Sequence, residues 1–136
     1  MSGRVRIALW SRIVLLALYL VGIVIQFLAA GYGFFEGSFD FHEDLGWTAM
    51  HAIPLLLLIA TLVLWRGGTQ LWLALALGVL GLVQPLLAAA EGWLGVFHPL
   101  IALVLFLLGQ ALLRRDLENV RGIPSAPAAS KTPASV

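Results

Sequence analysis

Three histidines and two glutamines stand out in a chain otherwise poor in polar side chains, and their spacing bears on ligand binding. His42 and His98 each begin an apolar segment, and each completes a Phe-His pair. The stretch QFLAAGYGFFEGSFDFH, Gln26 to His42, recurs in outline fifty-six to fifty-eight positions later as QPLLAAAEGWLGVFH, Gln84 to His98. Both copies carry a Gln near the end of an apolar run, an Ala pair, a Glu-Gly turn and the terminal Phe-His. Two neutral imidazoles facing each other between helices, in a chain with no cysteine, suit axial ligation of a b-type heme. Gly46 lies one turn after His42 and Ala102 one turn after His98, small residues that would let a flat ligand approach both backbones. The plainer alternative is that each histidine bonds water and a neighbouring acid, Glu43 or Glu91.

His51 follows His42 by nine residues. On a regular α-helix that is about 13 Å deeper and half a turn round, so one ligand would not use both rings unless the helix begins after His42. Counted from the helix ends, Gln26, His51 and Gln84 reach a similar depth. The expectation is a buried polar layer in which these three bond one another between helices, at about 0.6 to 2 kcal/mol per bond. A rival pairing makes His51 the partner of His98. Glu43, Asp44 and Glu91 beside His42 and His98 offer a mixed oxygen and nitrogen set for a divalent metal, although acids at such a surface are more often simply solvated.

The elements that must position these residues are apolar helices. The chain has 136 residues, 61% of them hydrophobic and 11% charged, with a mean hydropathy of +0.99. A soluble domain of this size cannot hide so much apolar surface, so the bilayer is the expected solvent. Spans are expected at 13–30, 45–65, 71–90 and 96–113, each near the length that crosses about 30 Å of hydrocarbon. Residues 1–12 form a basic N-terminus. The tail 122–136 is rich in Ala, Pro and Ser and is expected to be disordered. A cleaved signal peptide ending at Ala29-Ala30-Gly31 competes for the first segment, but the apolar run is longer than a signal core and three more follow.

Every Arg and Lys lies in the N-terminus, at Arg66 or in the C-terminal segment, while the two remaining loops carry only acids. The positive-inside rule then places both termini in the cytoplasm of a bacterial inner membrane, with the histidines toward the outer face. Short connections make sequential helices antiparallel, giving an all-α up-down-up-down four-helix transmembrane bundle of two related hairpins. Trp47, Trp72, Trp93 and Tyr32 read as interfacial anchors. Pro54 and Pro85 free the carbonyls of Met50 and Gly81.

The same composition excludes several classes of function. Without cysteine there is no disulfide, iron–sulfur cluster or thiolate metal site. Basic residues flank apolar runs instead of forming a patch with aromatics, which argues against nucleic acid. No serine and histidine spacing suggests a hydrolase, no glycine-rich phosphate loop follows a strand, and no helix carries a file of charge for a channel.

With these motifs the chain resembles a family of small bacterial four-helix membrane proteins of unknown function. The likeness rests on Gln-Phe-Leu-Ala-Ala-Gly at Gln26 to Gly31, on His42 with Gly46, on Gln84 and on His98-Pro99, and covers roughly residues 10 to 115. More distantly, the two-hairpin plan with histidines on the second and fourth spans is similar to half of a heme A synthase and to other b-type cytochrome bundles. That resemblance implies a heme b cofactor at His42 and His98. It also departs from the pattern: Glu43 stands where a basic residue commonly follows the helix-two histidine, and the outer loops hold no Arg or Lys to meet heme propionates. Two readings follow. One is a b-type heme protein for electron transfer or redox sensing, with a quinone or a larger membrane complex as partner. The other is a non-enzymatic accessory subunit whose His and Gln residues only make interhelical hydrogen bonds.

Overall fold

The computed structural model describes residues 3–63, 69–90 and 92–121, and the described residues are almost entirely helical. The Arg66 turn, Glu91 and the tail from Gly122 lie outside the described residues. Helix α1 runs Gly3–Glu36, α2 Asp40–Leu45, a π-helical turn Gly46–Met50, α3 His51–Val63, α4 Thr69–Ala88, a 3-10 turn Gly92–Val96 and α5 Phe97–Arg121. Four helical stretches are long and apolar enough to cross a membrane: Gly3–Glu36, Asp40–Leu62, Leu71–Ala88 and Trp93–Arg121.

The helices overrun the expected spans because hydropathy marks the stretch that suits hydrocarbon, not where the backbone stops being helical. Helix α1 has 34 residues, about 51 Å at 1.5 Å per residue, against about 30 Å of hydrocarbon. Arg4 and Arg6 are good helix formers and do not interrupt it. Gly31 to Glu36 continue the helix instead of forming a loop. What ends it is Gly37, at φ 76°, whose amide bonds the Gly33 carbonyl at 2.8 Å. This left-handed C-terminal residue satisfies one of the helix's orphan carbonyls. Gly37→Val should cost about 1 to 2 kcal/mol, since a β-branched residue pays the left-handed penalty; chemical denaturation in detergent micelles, with Gly31→Ala as control, checks it.

Each of α1 and α4 packs against both α3 and α5. The core is one column of Leu16, Tyr19, Ile23, Leu57, Ala74, Leu77, Leu105 and Leu112. The outside is apolar too. Leu28, Leu86 and Ile7 are about 70% exposed, as are Trp72 and Trp93. A helix that is apolar all round needs an apolar environment on its outer side. Phe34 and Phe35 are still more open, stacked edge-to-face at the end of α1.

One polar cluster is fully inside the bundle. Arg12 on α1 donates through Nε to Asp116 on α5 at 2.7 Å and through a terminal nitrogen to the other carboxylate oxygen. A third nitrogen donates to Thr61 of α3 at 3.3 Å, and the Thr61 hydroxyl donates to the Leu57 carbonyl at 2.8 Å. Arg12 and Thr61 are 3% exposed and Asp116 is 0%. Arg12 is therefore not part of a solvated basic flank. It ties three helices together at the bundle end remote from the histidines.

Candidate functional site

At the other end, α1, α2, the π-turn, α4 and α5 surround a cavity of about 480 Å³, within the size range of small-molecule sites. All three histidines and both glutamines line it. Around them the wall is mostly small or apolar, with Ala30, Ala88, Ala102 and Leu105 among its members.

His42 and His98 both line this cavity, with their rings in edge contact. Their ring centroids are 6.0 Å apart and the rings lie at 79°. Each is held in the same way. His42 Nδ1 contacts the Gln26 carbonyl at 3.1 Å, and His98 Nδ1 contacts the Gln84 carbonyl at 3.2 Å. A carbonyl only accepts, so both contacts put the proton on Nδ1 and leave Nε2 of each neutral ring with its lone pair. The sequence repeat thus becomes a repeated contact, with one Gln carbonyl to one His in each half. Both glutamines use their backbone carbonyls here, a role not visible from side-chain type.

The side chains of Gln26, His51 and Gln84 do not form the expected layer. No hydrogen bond joins any two of them. Gln84 Nε2 instead donates to the His98 carbonyl at 2.9 Å. The buried atoms Gln26 Oε1, His51 Nδ1 and Gln84 Oε1 have no protein partner. The Gln84 side-chain amide is committed to the His98 carbonyl within its own hairpin, whereas Gln26 meets His42 through its backbone carbonyl alone.

His51 is also not half a turn away from the site. The intervening residues 46–50 form a π-helix, whose i→i+5 bonds put more residues in each turn than an α-helix has and so change the angle between His42 and His51. Both rings consequently line one cavity. Pro54 encourages the slip, because it offers no amide to the Met50 carbonyl and its ring crowds that oxygen. His51 stacks on Trp47, with centroids 5.2 Å apart and rings tilted by 40°. Gly46 lines the cavity as expected, but its open face is taken: a Cβ there would lie 2.9 Å from Gln26 Nε2. Its smallness admits the glutamine amide more directly than a ligand.

Among the described residues no three His, Asp or Glu side chains gather to hold a metal ion. Glu43 and Asp44 are exposed, as the solvated reading of those acids has it, and Glu91 lies outside the described residues. Trp47, Trp72, Trp93 and Tyr32 are all exposed on the bundle surface. Sequence reasoning missed Arg12, Thr61 and Asp116. The available signal was that Asp116 and Glu118 are the two acids not placed in the histidine-side loops.

No family model, curated protein or solved structure matches the chain.

Proposed function

We propose that the chain is a multi-pass protein of the bacterial inner membrane that binds one b-type heme between His42 and His98, for electron transfer or redox sensing. In this reading the four apolar helices run up-down-up-down, with both termini cytoplasmic and the cavity near the outer face. The charge asymmetry of the loops supports that orientation. The observation that carries the heme is the close pair of imidazoles in one cavity, each with Nδ1 on a main-chain carbonyl. A second bond of this kind fixes ring orientation and tautomer and raises the basicity of the ligating nitrogen. His42 and His98, with ring centroids 6.0 Å apart, are the residues that would hold the group.

In such a site this chain's residues hold and exclude. Gln26 and Gln84 aim the two rings, the alanines leave room for a flat macrocycle, and Tyr19, Ile23 and Leu105 close the inner end against water. Bound between two imidazoles, a heme supplies reversible one-electron transfer. No Arg or Lys lines the cavity among the described residues, so the charged edge of the macrocycle belongs at the open outer end, in water.

The accessory-module reading is favoured by the two bonds Gln84 makes to His98. It leaves Gln26 Oε1, His51 Nδ1 and Gln84 Oε1 buried without a protein partner. The two separate in one measurement. Protein expressed with a heme supply and purified in detergent should show a Soret band with low-spin, six-coordinate α and β bands. Replacing His42 and His98 together by Ala should abolish it. A colourless wild type with intact helical circular dichroism sinks the heme reading.

A further inference from the structure

Three buried polar atoms on residues that line the cavity have no protein partner: Gln26 Oε1, Gln84 Oε1 and His51 Nδ1. They belong to three different helices, α1, α4 and α3. The orientation of the Gln84 amide is fixed. Its Nε2 donates to the His98 carbonyl at 2.9 Å, so the atom left over is an oxygen, which only accepts. On α1, Gln26 Nε2 lies 2.9 Å from where a Cβ on Gly46 would stand, and again the oxygen is left over. Helices α1 and α4 are the diagonal pair of the bundle: each packs on α3 and α5, and their backbones do not meet. The two acceptors therefore belong to opposite walls of one cavity. An amide oxygen needs a donor, and a porphyrin bound through its iron carries no N–H or O–H on either face.

Two opposed acceptors call for a ligand with a donor at each end. The rest of the wall sets its other properties. Apart from Glu43, which is exposed, no charged side chain lines the cavity among the described residues, so the ligand is neutral. Ala30, Ala88 and Ala102 leave room for a slim body. The stacked Trp47 and His51 rings, 5.2 Å apart, offer it an aromatic side. A para-dihydroxybenzene ring has these features: it is flat, uncharged at neutral pH and soluble in lipid, with an O–H at either end. We propose that Gln26 and Gln84 form a subsite that binds a membrane-soluble hydroquinone, each amide oxygen accepting one of its hydroxyl hydrogens. The terminal torsion of a glutamine is soft, which lets Gln26 turn its oxygen to the ring. The oxidised quinone carries only carbonyl oxygens and makes neither bond, so the subsite selects the reduced form. Neither an iron nor the rings of His42 and His98 take part, so the subsite stands whether or not heme binds.

Trimethylhydroquinone is the probe, kept reduced under nitrogen and titrated by equilibrium dialysis against the full chain in detergent, purified without added heme. The wild type should bind it saturably at one site per chain, above the uptake of empty micelles. Its quinone and its dimethyl ether keep the body and lose both donors. Each should bind at least about tenfold more weakly, because it leaves both amide oxygens unpaired. Gln26→Met should weaken hydroquinone binding by about three- to tenfold, the scale of one neutral hydrogen bond, and leave the ether unaffected. Gln26 meets His42 through its backbone carbonyl alone, so the substitution keeps that bond, and helical circular dichroism checks the fold. The comparison of the three compounds needs no variant and stands by itself if Gln26→Met does not fold. Equal binding of the three compounds overturns the proposal, as does a folded Gln26→Met that binds hydroquinone like wild type. So does a wild type with no saturable uptake, which leaves the two oxygens to water. The Soret band, present or absent, bears on the heme reading alone.

Discussion

Asp116→Ala should destabilise the protein by about 3 to 5 kcal/mol, the expected scale for removing one member of a buried ion pair. The substitution leaves the Arg12 guanidinium 3% exposed inside the bundle, without the carboxylate that takes two of its nitrogens. Thr61 is among the partners that remain, but a neutral hydroxyl does not balance a charge. Arg12→Met with Asp116→Leu, which removes both charges and keeps the volume, should recover most of the loss. Unfolding of the purified protein by SDS in mixed micelles measures both. A loss below about 1 kcal/mol for Asp116→Ala would mean that Arg12 reaches the membrane surface and is solvated there. Fourteen residues of helix separate Arg12 from Gln26, about 21 Å, so on the proposed heme reading the absorption spectrum of the variants should match wild type where they fold.

That pair also shows where sequence reading stops. The helical class, the apolar exterior and the clustering of His42, His98, Gln26 and Gln84 were all legible, because hydropathy and a sixteen- or fourteen-residue return between Gln and His are local properties. Arg12 and Asp116 are 104 positions apart. Each sits at the end of an apolar run, where a charged residue usually lies in the interface, and nothing nearby tells a snorkelling arginine from a paired one. The placement of His51 failed for another reason. Counting 100° per residue assumes an unbroken α-helix, and residues 46–50 are π-helical. The polar layer failed because side-chain chemistry was counted and backbone carbonyls were not, although it is the carbonyls of Gln26 and Gln84 that the histidines use.

Gly78 and Gly81, one turn apart on α4, should respond in opposite ways to the same change. A Cβ added at Gly81 would lie 2.9 Å from Cβ of Pro54 and 3.0 Å from its Cγ. Pro54 is fully buried in α3, and its ring is closed onto the backbone, so it cannot turn aside as a long side chain would. Relief requires moving α3 away from α4. Gly81→Ala should therefore lose about 1 to 3 kcal/mol, the usual cost of overpacking. At Gly78 the nearest atom is Cδ2 of Leu58 at 3.5 Å, an ordinary contact with a flexible side chain. Gly78→Ala should be neutral or gain about 0.5 to 1 kcal/mol, since alanine loses less backbone entropy in a helix. SDS unfolding compares the two directly, and equal effects would show that the α3–α4 contact yields more easily than a buried proline allows. Gly81 lines the cavity, and α3, which would have to move, begins at His51. On the proposed heme reading, only Gly81→Ala of the two should therefore also shift the absorption spectrum.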